Sequence, residues 1–205
     1  METQNWEWLG VDHITYAVWD IAKWRAVYMD CFGFREMHYT SDACPNGTSS
    51  MRLCGLESGD SRIALVSPIN RASISHVALF LDKHGDHSVQ HIAYRIKNLE
   101  AFVQEMTDKQ FKFVGGIKIR TDLFGPIKQI FAKRFDSSLS PATGSFYEFV
   151  ERPEKTDGDL SDFFSGAVAG ELYDDVEKEI LADDGEPFID LAIIAVWYDV
   201  TQQGE

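Results

Sequence analysis

A nine-residue segment occurs twice in this chain, and the repeat constrains the fold more than any other feature. The segment is HITYAVWDI from His13 and HIAYRIKNL from His91. In both copies an Ile and a Tyr alternate with the histidine and with one small residue, Thr15 or Ala93, which predicts a β-strand with one bulky face and one face carrying the histidine. A repeated segment of this kind predicts a repeated structural unit.

Each copy continues with the same series of elements. Asp20 and Asn98 are favourable helix N-cap residues, and apolar residues recur at helical spacing behind both. Three strand-like runs follow each helix, at residues 34–40, 50–56 and 62–66 in the first copy and at 112–119, 128–135 and 146–152 in the second. The sequence therefore predicts the unit β-α-β-β-β, present twice, which is an α+β arrangement.

These units predict one domain over residues 10–152. Its two modules cover residues 10–68 and 88–152, and apolar residues at helical spacing predict a linker helix over 74–83. A lone four-stranded unit leaves one sheet face bare. We therefore expect the two copies to pair face to inner face.

The remaining residues, 153–205, form a predicted acidic C-terminal extension. Apolar residues at roughly one-turn spacing predict a helix over 160–181 that lies over the domain. Acidic residues are concentrated at 157–184, and we interpret them as a solvated helix face. The final apolar segment, 188–200, fits either a strand or a helix.

The composition excludes several classes of function. A formal net charge of −14 argues against a nucleic-acid surface, because phosphate binding needs clustered Lys and Arg. No apolar run approaches the roughly 20 residues needed to span a bilayer, and the first residues lack the pattern of a signal peptide. The three cysteines include no CxxC pair. We therefore expect a cytoplasmic protein that binds neither nucleic acid nor membrane.

Two histidines and one glutamate are the candidate metal ligands. His13 and His91 occupy the same point of equivalent strands, and their small neighbours leave space for a site. Glu148 lies among aromatic residues of a strand, where an ionised carboxylate is costly to bury unless it is paired or bound to metal. Ala64 stands at the equivalent position of the first copy. Two histidines and one carboxylate suit Fe(II) with open positions for substrate and O2, although Mn, Co, Ni or Zn are also possible.

Two further histidines precede His91 in a polar turn. His84 and His87 complete a His-x2-His-x3-His pattern with it, but we expect both to be solvated because the turn is polar. Asp12 precedes His13 directly. Strict alternation along the strand would direct its side chain to the opposite face, so we do not count it as a ligand.

Several segments resemble 4-hydroxyphenylpyruvate dioxygenases, which belong to the vicinal-oxygen-chelate superfamily. QHIA from Gln90, QIFAK from Gln129 and FYEFVER from Phe146 are similar to the C-terminal, iron-binding domain of that family. VDHI from Val11 and FGF from Phe32 are similar to the start of the same domain. The resemblance covers most of the predicted domain.

The resemblance implies a glyoxalase-like fold, in which the two modules form an open eight-stranded barrel with a C-terminal helix. It implies that the three candidate ligands hold Fe(II) and that O2 is the co-substrate. The implied activity is an Fe(II)-dependent dioxygenase that decarboxylates and hydroxylates a 2-oxo acid. Metal-dependent isomerases, epimerases and lyases are an alternative on this fold, but they often use four protein ligands, which Ala64 argues against. A non-catalytic protein that binds a small molecule is a third alternative.

The same comparison implies a set of residues that line the substrate pocket. They are Ser50, Asn70, Gln90, Gln129, Phe131 and Phe146. Among them, the two glutamines would orient the substrate. Phe163 and Phe164 lie in the helix that closes the family's site, or they only pack that helix onto the barrel. His76 stands where the family has a pocket glutamine.

Arg52 departs from the family, which has a small apolar residue there. It lies two residues beyond Ser50, so it should share the same strand face. A buried guanidinium needs a partner, and the neighbouring pocket residues are uncharged. We therefore predict a substrate with an acidic or strongly hydrogen-bond-accepting group distal to its 2-oxo acid, rather than a plain phenol. Alternatively, a bulge or a one-residue slip would direct Arg52 to solvent.

The dioxygenase family carries two such domains, whereas this chain has one. We therefore expect a homodimer. Residues 188–200 are a candidate for its interface, because an apolar run left exposed would favour association.

Overall fold

The computed structural model describes residues 4–42, 51–69, 75–122, 125–134, 144–153 and 187–189. The strands in these residues are β1 (Glu7–Ala17), β2 (Arg35–Thr40), β3 (Met51–Ser58), β4 (Ser61–Pro68), β5 (Ser88–Lys97), β6 (Phe113–Asp122), β7 (Gly125–Ala132) and β8 (Phe146–Glu151). The helices are α1 (Ile21–Ala26), α2 (His76–His84) and α3 (Leu99–Asp108), and α1 continues as a π-helical segment, Val27–Cys31. None of these helices is long and apolar enough to cross a membrane.

The strands form one open, mixed sheet in the order β2-β3-β4-β1-β5-β8-β7-β6. This sheet and the repeated β-α-β-β-β order confirm the predicted α+β fold. The modules join edge to edge, through antiparallel pairing of β1 with β5, so the expected face-to-face pairing is wrong. An edge strand presents unpaired N–H and C=O groups. Pairing the first strand of one module with that of the other satisfies these groups at the centre of the sheet.

The pairing of β1 with β5 is irregular at three points, two of which are bulges at equivalent positions of the two copies. Asp12 is an extra residue of β1 between Val11 and His13, and Gln90 is an extra residue of β5 between Val89 and His91. A bulge of this kind breaks the alternation of side chains along a strand. Each of the two candidate ligand histidines is therefore preceded by a residue that need not point to the opposite face.

Between the two bulges the pairing has a local two-fold symmetry. His13 lies opposite Ala93, and His91 lies opposite Thr15. The histidines thus share one side of the sheet with the small residues that the repeat predicts beside them. We call this side the histidine face.

The helices cover the two sides of the sheet unequally. α2 packs on the histidine face of the first module, where Val77, Phe80 and Leu81 contact apolar residues of β3 and β4. α1 and α3 pack on the opposite side, in clusters built around Ile21 and Phe102. The linker helix therefore covers the first module's part of the histidine face.

The predicted helix starts are correct. Asp20 Oδ1 accepts a hydrogen bond from Lys23 N at 3.1 Å, and Asn98 Oδ1 accepts one from Ala101 N at 3.4 Å. These side chains satisfy backbone donors that the first turn of a helix leaves unpaired. Each helix therefore begins directly after the strand that carries a histidine.

Candidate metal centre

Three buried side chains converge on the histidine face at the centre of the sheet. His13, His91 and Glu148 are each no more than 3% exposed. The Nε2 atoms of His13 and His91 lie 3.6 and 3.4 Å from the same Glu148 oxygen, Oε2. One ligand atom from each residue lies within 4.8 Å of the others. Among the residues that the structure describes, this is the one cluster with metal-ligand chemistry.

The strand register produces this convergence. β5 lies between β1 and β8. Ala93 of β5 is opposite His13 on one side and opposite Glu148 on the other. Because Ala93 has only a methyl side chain, the imidazole and the carboxylate can approach each other above it. His91 lies two residues earlier on the same face of β5.

Each of the three side chains is oriented by a neighbour. His13 Nδ1 lies 3.0 Å from Asp12 Oδ1. Gln129 Nε2 donates a hydrogen bond to Glu148 Oε1 at 2.6 Å. The Phe146 ring stacks on His91, with ring centroids 4.8 Å apart and planes inclined by 20°.

The protonation states favour metal binding. Burial raises the pKa of Glu148, but the hydrogen bond and charge of His91 and the charge of His13 hold it below its ordinary value. Burial lowers the pKa of His91. An ionised carboxylate and a neutral imidazole are the forms of these groups that bind metal.

The cluster fits a divalent metal. Nitrogen and oxygen ligands bind such ions at roughly 2.0–2.2 Å, so two ligand atoms of one ion lie no more than about 4.4 Å apart. The distances of 3.6 and 3.4 Å from the histidine nitrogens to Glu148 fall within this limit. Two imidazoles and one carboxylate are the ligand set of non-haem Fe(II) enzymes.

The prediction that Asp12 points away from His13 is wrong. Asp12 is the bulge residue of β1, so the alternation on which that prediction relied is broken there. Its buried carboxylate contacts Arg62, Arg95 and Arg152 as well as His13. The argument that selected Glu148, namely that a carboxylate inside a strand needs a partner, applies equally to Asp12 and could have found it.

The structure brings four of the residues implied by the resemblance close to the metal centre. Gln129 and Phe131 lie on β7, beside Glu148, and Gln129 contacts it directly. Phe146 contacts both His91 and Phe131, with centroids 4.8 and 6.0 Å away. His76 is the first residue of α2 and is also buried. Burial is the main cause of the lowered pKa of His91, and the charge of His76 lowers that pKa further.

Two buried amide oxygens lie in or beside these strands. Gln90 is 2% exposed, and Gln129 is completely buried. The Oε1 atom of each has no hydrogen-bond partner among the described residues. Thr15, which sequence reasoning did not select, is also buried beside His91, and its Oγ1 atom is equally without a partner there. Thr15 could have been selected from the sequence, because its position two residues after His13 places it on the same strand face.

The prediction that Arg52 faces the metal centre is wrong. Arg52 lies between Met51 and Leu53, which contact α2 on the histidine face. Continuous pairing of β3 with β4 shows no bulge to alter the alternation. Arg52 therefore lies on the opposite side of the sheet, where its Nη1 donates to the Pro68 carbonyl oxygen at 3.4 Å. The acidic group predicted for the substrate loses its basis.

The two histidines of the turn before β5 differ from each other. His84 is exposed, as expected. His87 is partly buried between Tyr16 and Trp24, with ring centroids 4.5 and 3.8 Å away. The prediction of a solvated side chain is therefore wrong for His87, because aromatic residues from the first module cover the turn.

Four predicted pocket residues, Ser50, Asn70, Phe163 and Phe164, lie outside the described residues. The predicted helix over 160–181 and most of the segment 188–200 also lie outside them. A cavity of about 380 Å³ lies between α3 and β6. Its lining includes Phe113 and Ile130 of the cluster around Phe102, so it opens on the side opposite the metal centre.

Solved structures show the same fold. A triple mutant of 4-hydroxymandelate synthase from Streptomyces coelicolor is 18% identical, with a TM-score of 0.66, and the match covers 82% of this chain and 53% of that one. A hypothetical protein from Bacillus halodurans C-125 is 22% identical, with a TM-score of 0.53 and coverages of 75% and 99%. Methylmalonyl-CoA epimerase from Streptomyces coelicolor, bound to 2-nitronate-propionyl-CoA, is 20% identical, with a TM-score of 0.51 and coverages of 72% and 100%.

At these identities the likeness concerns the fold alone, and the chain spans about half the length of the hydroxymandelate synthase. No curated protein matches the chain. A family model described as the Glyoxalase/Bleomycin resistance protein/Dioxygenase superfamily matches residues 12–124, which is more than half of the chain. The chain therefore belongs to the glyoxalase/bleomycin resistance protein/dioxygenase superfamily, the vicinal-oxygen-chelate enzymes that the repeat resembles.

Proposed function

We propose that this protein is an Fe(II)-dependent dioxygenase that acts on a 2-oxo acid. The observation that carries the proposal is the approach of two buried histidine nitrogens to one buried carboxylate oxygen. This set binds one ion and leaves open positions around it for substrate and O2. When bound, the iron supplies the redox chemistry of the reaction.

The first copy of the repeat has no carboxylate at the position equivalent to Glu148, so the site has three candidate protein ligands rather than four. Ala64 of β4 pairs with Thr15, as Glu148 of β8 pairs with Ala93. A methyl group cannot bind a metal. A fourth ligand from this position, which would suit a Lewis-acid isomerase or epimerase, is therefore missing within the described strands.

The overall reaction fixes what the protein residues must do. One oxygen atom of O2 enters the carboxylate left after CO2 leaves, and the other enters the new hydroxyl group of the same substrate. The side chains must therefore hold the substrate in one orientation and limit access of water.

Several residues are suited to these tasks. Gln129 donates its amide N–H to Glu148, so its Oε1 atom is an acceptor for a donor group of the substrate. Phe131 and Phe146 form an aromatic wall beside His91. α2 covers the histidine face of the first module and thereby excludes water from that side.

Oxygen consumption is the direct test. Metal-free protein is reloaded with Fe(II) or with Zn(II) and mixed with a panel of 2-oxo acids, while O2 uptake and CO2 release are followed together. We expect equal uptake and release with Fe(II) and none with redox-inactive Zn(II). Metal-dependent conversion of a substrate without O2 uptake would instead indicate an isomerase or lyase. Metal and ligand binding without any turnover would indicate a binding protein.

A further inference from the structure

Asp12 lies directly behind one of the candidate metal ligands. Its Oδ1 atom is 3.0 Å from Nδ1 of His13, while Nε2 of the same ring faces Glu148. The imidazole therefore lies between two carboxylates, and its two nitrogens have different tasks. Which nitrogen is available to a metal is set by the hydrogen bond that the other nitrogen makes.

Two arginines fix the orientation of the Asp12 carboxylate. Arg152 approaches as a fork, with Nε donating to Oδ2 at 2.7 Å and Nη2 donating to Oδ1 at 2.8 Å. Arg95 donates from Nε and Nη2 to Oδ2 at 3.1 and 2.9 Å. The fork sets the plane of the carboxylate. Because Arg95 engages Oδ2, Oδ1 is the oxygen that faces His13.

This carboxylate can act only as a hydrogen-bond acceptor. Both of its oxygens accept hydrogen bonds from the permanently charged guanidinium groups of Arg95 and Arg152, which is the pairing of an ionised carboxylate. An ionised carboxylate offers no donor. The hydrogen between Asp12 and His13 therefore belongs to Nδ1, and Nε2 is the nitrogen that faces Glu148 and the candidate metal position.

We propose that Asp12 is the positioning residue of the metal centre, which holds His13 in the Nδ1-protonated tautomer with Nε2 directed to the metal. Arg95 and Arg152 keep the Asp12 carboxylate in the required orientation. Partners of this kind orient metal-binding histidines and tune their affinity. The inference rests on the metal site of the proposed function but not on the reaction that the site performs.

The side chain of the second histidine, His91, is oriented in a different way. Nδ1 of His91 has no hydrogen-bond partner among the described residues, and Phe146 stacks on its ring. The residue at the position of Asp12 in the second copy is Gln90, the other bulge residue. Only the first copy therefore combines a ligand histidine with a carboxylate behind it.

The tautomer can be measured in the wild-type protein without any metal. Two-bond ¹⁵N–¹H correlation spectra of protein labelled with ¹⁵N-histidine at pH 8 distinguish the two neutral forms of imidazole, and single-histidine variants assign the signals. We expect His13 to carry its proton on Nδ1. A proton on Nε2 of His13 would overturn the inference. This measurement decides the matter even if substitutions of Asp12 prevent folding.

A pair of variants separates positioning from simple structural support. Asp12→Asn keeps the size of the side chain but removes the purely accepting carboxylate, so we expect Co(II) affinity to fall by roughly 10- to 100-fold with a changed Co(II) absorption spectrum. Lys128→Met is the control, because it removes ion pairs with Glu100 and Glu151 on the side of the sheet away from the metal centre. It should lower thermal stability and leave Co(II) affinity and spectrum unchanged.

Folded Asp12→Asn protein with the wild-type Co(II) affinity and spectrum would also overturn the inference. Equal losses of affinity in both variants would do the same, since they would indicate support of the fold alone. A wild-type protein that binds Co(II) but fails the oxygen-uptake test counts against the proposed reaction only. The tautomer and the Co(II) affinity of the variants then still decide the role of Asp12.

Discussion

Glu148 is the side chain on which the metal centre depends most, because both histidine nitrogens face one oxygen of its carboxylate. Its other oxygen accepts the hydrogen bond from Gln129. A buried charge persists in a protein interior only when its partners compensate for lost hydration. The metal would complete that compensation, so metal binding and the ionisation of Glu148 support each other.

We predict that His13→Ala, His91→Ala and Glu148→Ala each abolish tight Fe(II) binding while the domain stays folded. Affinity should fall by more than the roughly 100-fold that loss of an outer partner can cost. Anaerobic equilibrium dialysis measures the metal, and circular dichroism checks the fold. His84→Ala is the control, because His84 is exposed and should bind metal normally. Stoichiometric iron in the Glu148→Ala protein would contradict the ligand assignment.

Single residues show where sequence reasoning succeeds. The repeat identified His13 and His91 as candidates, and the cost of burying a carboxylate identified Glu148. The structure brings these three side chains together. Alternation along a strand failed at Asp12, because a bulge is a property of the pairing and leaves no mark on one strand alone. Arg52 was misplaced because its assumed reference, Ser50, was assigned by resemblance rather than by strand pairing.

At the scale of elements, the turn before β5 is joined to the first module by an aromatic stack. His87 lies between Tyr16 and Trp24, and its Nε2 atom is 3.0 Å from the Tyr28 hydroxyl. The neighbouring Asp86 accepts hydrogen bonds from the backbone N–H of Trp19 and from the Trp24 indole. These contacts could not be predicted from the polar sequence of the turn, because the residues that the turn contacts are remote from it in the chain.

We predict that this stack makes stability depend on pH. Burial lowers the pKa of His87 below its ordinary value of 6.5, although Asp86 opposes the shift. The unfolded chain then binds the proton more tightly, so the contribution of neutral His87 is present above about pH 6.5 and declines as the pH falls through the lowered pKa. His87→Asn, which suits the positive φ of 61° there, should remove about 1–2 kcal/mol at pH 8 and less at pH 5.

Thermal unfolding at both pH values measures this difference, at roughly 2–4 °C of melting temperature per kcal/mol for a chain of this size. His84→Asn is the matched control in the same turn, since His84 is exposed and contacts only the Phe80 ring among the aromatic pairs described. A pH-independent loss of stability in His87→Asn would show that the stack does not depend on the neutral imidazole.

For the whole molecule, the continuous sheet makes the two modules one structural unit. The candidate ligands come from both modules, His13 from the first and His91 and Glu148 from the second, so they are brought together only when β1 and β5 are paired. The fold class and the order of elements could be predicted from the repeat. The edge-to-edge joining of the modules could not be predicted, because edge-to-edge and face-to-face pairing both bury the apolar side chains of the same alternating pattern.

The homodimer stays a prediction at this scale. Large apolar side chains such as Leu9, Val11 and Ile119 are 48%, 53% and 56% exposed, and association would remove such surface from water. Light scattering at high micromolar concentration should give twice the mass of the chain. A monomeric mass under those conditions would contradict it.

Because of the two equivalent bulges, the site should be more sensitive to the insertion or deletion of one residue than to the substitution of one. Deleting Asp12 would remove the bulge beside His13 and turn over the strand segment before it. Trp8, which now packs against Tyr94 and Phe102 on the side away from the metal, would then be directed to the histidine face. Among relatives of this protein, single-residue insertions and deletions should therefore be excluded from the stretch that leads into each ligand histidine, even where the amino acids themselves vary freely.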